Sequence, residues 1–198
     1  MDSEFILSLI IGIGLSASVG FRIFVPFLVL SIFSLLGFVN LSSGFDWIGT
    51  YPALIAFGFA SLLEIIAYFF PWFDNLLDTV AGPVSIIAGA LIMGSVLADF
   101  SPLFKWSLAI IAGGGLAGTI QHSTGLLRLT SSTTTGGIAN PVISTTEAGA
   151  SFSLSTLAIL LPVVAFLLVL LLVIWVVRKF HKIFFKKKNL VQERSNYK

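Results

Sequence analysis

The chain has 198 residues, of which 57% are hydrophobic and 10% charged, and its mean hydropathy is +1.03. A soluble domain has about 45–50% apolar and about 25% charged residues, and a chain this small cannot bury 19 Phe beneath polar cover. The composition predicts an all-α membrane protein and excludes a soluble enzyme, a nucleic-acid-binding module and a secreted disulfide scaffold. The sequence has no cysteine, so thiolate and disulfide chemistry are excluded too.

The first apolar run covers residues 5–36 and contains one charge, Arg22. As a continuous helix it would be about 48 Å long at 1.5 Å per residue, well beyond the ~30 Å hydrocarbon core. We expect a break or re-entry near residues 16–22, where small residues precede Arg22 and Pro26 follows. The N-terminus lacks the basic region of a signal peptide, so we expect this run to remain in the mature protein.

Four further apolar runs are long enough to span a membrane, and they bring the expected number of transmembrane helices to five. They are residues 52–73, 79–98, 106–127 and 152–177. Six of the 11 Lys and Arg residues lie between Arg178 and Lys188, which predicts a cytoplasmic C-terminus and, with five spans, an N-terminus outside. We therefore expect a multi-pass plasma (inner) membrane protein with a transmembrane domain at 1–177 and a basic tail at 178–198.

Residues 129–146 form a polar segment without charge, rich in Ser and Thr. Irregular backbone at membrane depth requires cover by protein or water, so the segment predicts either a re-entrant loop or an external loop. Asn140-Pro141 disfavours helix at this point. The segments GLSASVGFR and GLAGTIQHSTGLLR each combine small residues with a terminal Arg, which is consistent with an internal, inverted repeat.

Small residues also recur at four-residue spacing, which allows helices to approach closely in lipid. Tight packing within one chain is the first explanation of these stripes, and a homo-oligomer interface is the alternative. The stripes are Gly12, Ser16 and Gly20; Ala90, Gly94 and Ala98; and Gly114 and Gly118.

The charges inside apolar runs are the candidate functional residues, because each costs about 2.5–3.5 kcal/mol near the bilayer centre. Arg22 needs an anionic partner, a group of carbonyls or water. We expect its partners in the second run: in a continuous helix Glu64, Asp74 and Asp78 would share one stripe with Pro71. Solvated helix ends are the alternative for the two aspartates.

Three further polar residues border or lie in the uncharged segment: Arg128, Asn140 and Glu147. Together with the carboxylates, the side-chain oxygens are suited to a hard cation, whereas Arg22 and Arg128 are suited to a phosphate or carboxylate group. No known catalytic motif occurs, so we expect no enzyme activity, catalytic residue, cofactor or metal site. The expected partners are the lipid bilayer and an anionic lipid or small ion, without nucleic acid.

Three stretches resemble a known family, the small multi-pass bacterial-type membrane proteins called domain of unknown function 4126. They are GLSASVGFRIFVP at Gly14–Pro26, EIIAYFFPWFDNLLDTVAGP at Glu64–Pro83, and Gly115–Glu147, which contains GIANPVISTTE. The family pattern often has an Asp-Lys pair just before the proline of the second stretch, where this chain has Tyr68-Phe69. The resemblance implies an integral membrane protein and supplies no activity.

Three functional hypotheses follow from the buried charges. The first is a small transporter, a translocator of lipid head groups or ions with a charged site inside the membrane. The second is a membrane scaffold or assembly factor in which the charges form structural ion pairs. The third is a metal-dependent enzyme acting on a lipid phosphate.

Overall fold

The structure is a computed structural model that describes the backbone of residues 3–68, 71–97 and 101–196. Side chains are described for the same residues except 71–76, 78 and 180–196. In this part of the chain all regular secondary structure is helical, which confirms the all-α prediction. The chain forms two units, Met1–Phe166 and Leu167–Lys198.

The described residues form eight α-helices. They are α1 (Ser3–Val19), α2 (Phe24–Leu35), α3 (Tyr51–Ala67), α4 (Pro71–Val96), α5 (Pro102–Leu108), α6 (Gly115–Thr135), α7 (Asn140–Leu160) and α8 (Pro162–Asn196). A short 3-10 helix, Asp46–Gly49, precedes α3, and a π-helical segment, Ala109–Gly114, joins α5 to α6.

Three helical stretches in the described ranges are long and apolar enough to cross a membrane: Thr79–Val96, Pro102–Thr135 and Pro162–Lys179. Shorter apolar helices cover Ser3–Val19, Phe24–Leu35 and Tyr51–Ala67. These helices support the predicted membrane location.

The first apolar run divides into α1 and α2 within the stretch where a break was expected. Gly20 and Phe21 still donate to the carbonyl oxygens of Ala17 and Ser18, at 3.2 and 3.1 Å, and Arg22 also donates to Ser18 at 3.2 Å. Helix α2 then begins at Phe24. The break leaves the Arg22 side chain inside the protein, where it is 1% exposed.

Proline determines where several helices begin. The first or second residue of α3, α4, α5, α7 and α8 is Pro52, Pro71, Pro102, Pro141 and Pro162, respectively. Proline is well suited to the first turn, because the N–H that it lacks would have no partner within the helix. Pro71 therefore starts α4 and does not kink a continuous helix over 52–73. Glu64 therefore lies in α3, whereas Asp74 and Asp78 lie in α4.

The polar segment 129–146 is helical apart from a short turn, contrary to the irregular loop that we expected. Helix α6 ends at Thr135 and is followed by Gly136 and Gly137, whose φ angles of +64° and +87° favour glycine. Asn140-Pro141 begins α7 rather than interrupting a helix. The hydroxyl groups of Thr134 and Thr146 donate to carbonyl oxygens four residues earlier, each at 2.8 Å. Such bonds satisfy hydroxyls without water, which explains how so polar a segment stays helical.

Two of the small-residue stripes contact other helices of the same chain. A Cβ atom on Gly20 would lie 2.5 Å from Cβ of Ile120, and one on Gly118 would lie 2.6 Å from Cγ1 of Ile86. Both distances are too short for a real side chain. Glycine at these positions therefore allows α6 to approach both the end of α1 and α4.

Candidate functional site

Two arginines are among the most deeply buried side chains of the first unit. Arg22 lies at the break between α1 and α2, Arg128 lies in α6, and each is 1% exposed. Taking a guanidinium group out of water costs several kcal/mol unless other groups compensate its charge and hydrogen bonds. The partners of these two side chains therefore define the site.

Glu147 of α7 bridges both arginines. Its Oε2 atom lies 3.2 Å from Nη2 of Arg22 and accepts a hydrogen bond from Nη1 of Arg128. Nη2 of Arg22 also donates to the hydroxyl of Ser144 at 2.6 Å and to its backbone carbonyl oxygen at 3.1 Å. Ser144 and Glu147 are one turn apart on α7, so one face of that helix binds the guanidinium group of Arg22.

The ring of Tyr68, at the end of α3, lies against both guanidinium groups. Its centroid is 3.9 Å from Cζ of Arg22 and 4.7 Å from Cζ of Arg128. The negative face of an aromatic ring attracts cations at these distances, most strongly where water is excluded. We refer to Arg22, Tyr68, Arg128, Ser144 and Glu147 as the arginine cluster.

Gln121 of α6 connects the arginine cluster to the helix break. In the amide orientation that satisfies both ends, its nitrogen donates to the carbonyl oxygen of Gly20 and its oxygen accepts from Nη2 of Arg128, each at 3.1 Å. The side chain is 4% exposed. Sequence reasoning missed Gln121, Tyr68 and Ser144. An uncharged amide in an apolar run was a signal for Gln121, whereas nothing in the sequence distinguished Ser144 from other serines.

Glu64 of α3 binds backbone rather than the arginine predicted as its partner. Its Oε1 atom accepts from the N–H of Ile23 at 2.8 Å and its Oε2 atom from the N–H of Phe24 at 3.0 Å. These N–H groups belong to the first turn of α2 and have no acceptor within the helix. Arg22 and Arg128 still act electrostatically on this carboxylate. Among the described residues, the ion pair of Arg22 is with Glu147 of α7.

The remaining predicted site residues lie elsewhere. Asn140 is 3% exposed and donates from Nδ2 to the hydroxyl of Ser132 at 2.8 Å, which connects α7 to α6. Asp74 and Asp78 belong to α4, and their side chains lie outside the described part of the chain. Of the seven predicted residues, the structure therefore brings Arg22, Arg128 and Glu147 into direct contact and places Glu64 next to Arg22.

Arg22 does not use all of its hydrogen-bond donors. Its Nε and Nη1 atoms are buried and have no hydrogen-bond partner among the described residues. A buried donor without an acceptor costs about 1–3 kcal/mol. The arginine cluster thus combines two guanidinium groups, one shared carboxylate and unused donors, which is the chemistry of an oxyanion site.

Within the described ranges, no three His, Asp or Glu side chains are grouped so that they could hold a metal ion. No curated protein and no solved structure matches the chain significantly. A family model described as "Domain of unknown function (DUF4126)" matches residues 9–182, a range that includes the whole arginine cluster. With most of its length matched, the chain belongs to the DUF4126 family.

Proposed function

We propose that the protein is a small membrane translocator of an anion, which is either a free ion or the head group of an anionic lipid. The observation that carries this proposal is the pair of buried, unpartnered atoms Nε and Nη1 of Arg22, next to a carboxylate that already bridges two guanidinium groups. Five spans, a cytoplasmic C-terminus and re-entry of the α6–α7 hairpin are part of the same proposal.

A contribution to folding stability does not by itself explain two buried arginines bridged by one carboxylate. Buried ion pairs are often no more stabilising than apolar residues of the same volume. Each unpartnered donor adds a further cost of about 1–3 kcal/mol. An anion that binds Nε or Nη1 of Arg22 offsets this cost, so the arrangement suits a site that is alternately filled and empty.

The mechanism that we propose is charge compensation. Glu147 acts as an internal anion that pairs with both arginines while no ligand is bound. An incoming anion takes its place on Arg22, and Glu147 can then bind a proton or a cation. In the ligand-free state Glu147 pairs with Arg22, and in the bound state the anion does. This exchange of partners can shift the equilibrium between two arrangements of the helices.

Transport measurements in proteoliposomes test this proposal. The variant Arg22→Gln removes the buried guanidinium group, and Arg178→Gln removes an exposed one as the matched control. We expect efflux of a small anion, or exchange of a labelled anionic lipid between leaflets, to be lost in Arg22→Gln and retained in the control. Equal rates in both folded variants and in the unsubstituted protein would contradict the proposal.

A scaffold is the second candidate, and direct closure of both arginines onto Glu147 favours it. The arginine cluster joins the α1–α2 break to α3, α6 and α7, as a structural core would. In that case Arg22→Gln lowers the melting temperature strongly, the unsubstituted protein transports neither anions nor lipids, and a stable protein partner co-purifies from the native membrane.

A further inference from the structure

The arginine cluster lies near one end of helices α6 and α7, where residues 136–139 join them in the α6–α7 turn. On α7, Glu147 follows the first residue, Asn140, by seven positions, and on α6, Arg128 precedes the last residue, Thr135, by seven positions. At 1.5 Å per residue, both side chains are attached about 10 Å from the turn and about 20 Å from the opposite ends of the two helices. The shortest way to the arginine cluster along these helices is therefore from the turn.

The buried side chains between the turn and the arginine cluster are polar. On α7, the buried residues before Glu147 are Asn140 and Ser144, and on α6 the buried residue after Arg128 is Ser131. Hydroxyl and amide groups can exchange one hydrogen-bond partner for water or for an anion, whereas apolar side chains cannot. This side of the arginine cluster is therefore suited to the passage of a hydrated ion.

The opposite side of the arginine cluster is packed tightly against α1. A Cβ atom on Gly14 would lie 2.6 Å from Cβ of Ala158 in α7, and one on Gly20 would lie 2.5 Å from Cβ of Ile120 in α6. The hydroxyl of Ser151, one turn beyond Glu147 on α7, already donates to a backbone carbonyl oxygen of α1 at 2.9 Å. Helices in such close contact leave no space for water or a ligand between them, so the described helices offer an anion no comparable way in from this side.

We propose that a free, water-borne anion reaches Arg22 from the α6–α7 turn, past the side chains of Ser131, Asn140 and Ser144. The route ends at the buried Nε and Nη1 atoms of Arg22, which have no hydrogen-bond partner among the described residues. Because the side chains along the route are buried rather than open to lipid, it has no place for the acyl chains of a lipid. The inference rests on the anion binding proposed above and adds the direction of entry and the source of the anion.

One hydrogen bond joins α6 to α7 across this route. Nδ2 of Asn140 donates to Oγ of Ser132 at 2.8 Å, between the turn and the arginine cluster. In the proposed route this bond opens when the anion passes and closes behind it.

Cysteine accessibility tests the direction of entry, because the chain has no cysteine of its own. Asn140 and Leu154 are a matched pair on α7: each lies seven residues from Glu147, on opposite sides of it, and therefore on the same helix face. The full-length variants Asn140→Cys and Leu154→Cys are placed in phosphatidylcholine nanodiscs, which leave both membrane faces open to an anionic methanethiosulfonate reagent. We expect Asn140→Cys to react at least about tenfold faster, although Leu154 is the more exposed residue, at 9% against 3%.

Protection by a ligand connects the route to the arginine cluster. We expect saturating acetate to slow the modification of Asn140→Cys about tenfold. Adding Arg22→Gln should abolish this protection, and adding Arg178→Gln, at an exposed arginine, should not. Protection by phosphatidylglycerol in the nanodiscs without protection by acetate would show that the anion arrives as a lipid, and the proposed source would be wrong.

Removal of the hydrogen bond across the route tests its part in entry. Ser132→Ala removes the acceptor of Nδ2 of Asn140. With Ser131→Cys as the reporter, we expect about two- to tenfold faster modification, the effect of losing one hydrogen bond on an opening equilibrium. Thr134→Ala is the control, because the Thr134 hydroxyl donates within its own helix. Equal rates in the two double variants would show that the bond does not close the route. Ser131→Cys also serves as the reporter of entry should Asn140→Cys not fold.

Failure of this inference can be distinguished from failure of the proposed function. If Leu154→Cys reacts as fast as Asn140→Cys, or if neither reacts, the inferred route is wrong. Anion binding still stands in that case if acetate raises the melting temperature of the unsubstituted protein and not that of Arg22→Gln. If neither acetate nor phosphatidylglycerol raises the melting temperature, both the route and the proposed function are wrong.

Discussion

At the scale of single residues, the sequence predicts that Arg22 is a costly charge, and the structure buries it, but the sequence does not show which groups it contacts. Arg22 and Glu64 lie far from the ends of their apolar runs, which identified both as costly charges. The partner of Arg22 is Glu147, 125 positions later, because α7 packs beside the α1–α2 break. Nothing local encodes that contact. Of the carboxylates predicted as partners of Arg22, Glu64 acts on it electrostatically, and the side chains of Asp74 and Asp78 lie outside the described part of the chain.

Substitution of Tyr68 separates its ring from its hydroxyl group. Tyr68→Leu removes the aromatic face that lies against both guanidinium groups, and we expect a loss of about 2 kcal/mol or more in the free energy of unfolding, as for desolvated cation–π contacts. Tyr68→Phe retains the face and should lose less. Thermal or denaturant unfolding in mild detergent measures the difference, and equal losses in the two variants would show that the ring does not stabilise the arginines.

Substitution of Glu64 tests its role at the start of α2. Glu64→Ala leaves the N–H groups of Ile23 and Phe24 without this acceptor, and we expect a loss of about 1.5–3 kcal/mol for each charge-assisted bond. Glu64→Gln retains one acceptor oxygen and should lose about half as much. Unfolding measurements check this order, with Glu4→Gln as the control at an exposed carboxylate. Equal losses of unfolding free energy in Glu64→Ala and Glu64→Gln would refute it.

At the scale of helices, the local sequence predicts where an apolar helix breaks better than it predicts whether a polar segment is helical. The break near Arg22 and the apolar runs followed from composition and length. The polar segment 129–146 was expected to form a re-entrant or external loop because it is rich in Ser and Thr and contains Asn140-Pro141. In the structure they donate to carbonyls of their own helix, so the same hydroxyls are compatible with helix. Asn140-Pro141 was likewise expected to disfavour helix, whereas Pro141 lies in the first turn of α7.

Close packing of α1 against α6 depends on Gly20. Gly20→Ala would place a methyl group 2.5 Å from Cβ of Ile120 and 2.7 Å from the carbonyl oxygen of Ala117, so we expect a loss of about 1–3 kcal/mol through overpacking. Gly125→Ala is the control, because no atom lies within 4 Å of its added methyl group. It should gain about 0.5–1 kcal/mol in helix stability. Equal free energies of unfolding for Gly20→Ala and Gly125→Ala would contradict the close contact between Gly20 and α6.

At the scale of the whole molecule, the distribution of charge predicts topology. The basic residues between Arg178 and Lys188 predict a cytoplasmic C-terminus, while the three described apolar stretches that are long enough to span do not by themselves give five spans. The sequence lacks cysteine, so a single introduced thiol can be labelled without background. We expect an impermeant maleimide to label Ser3→Cys in intact cells and Ser195→Cys only after permeabilisation. Labelling of both in intact cells would rule out an odd number of spans.

Binding of an exchangeable anion by Arg22 can be observed directly. The experiment compares a cryo-EM map of the full-length protein in nanodiscs saturated with acetate with one in nanodiscs containing phosphatidylglycerol. We expect non-protein density along an edge of Arg22, at Nε or Nη1, with the Glu147 carboxylate displaced from Nη2. A guanidinium group that contacts Glu147 in both maps, with no density beside it, would contradict anion binding and favour a structural role for the buried charges.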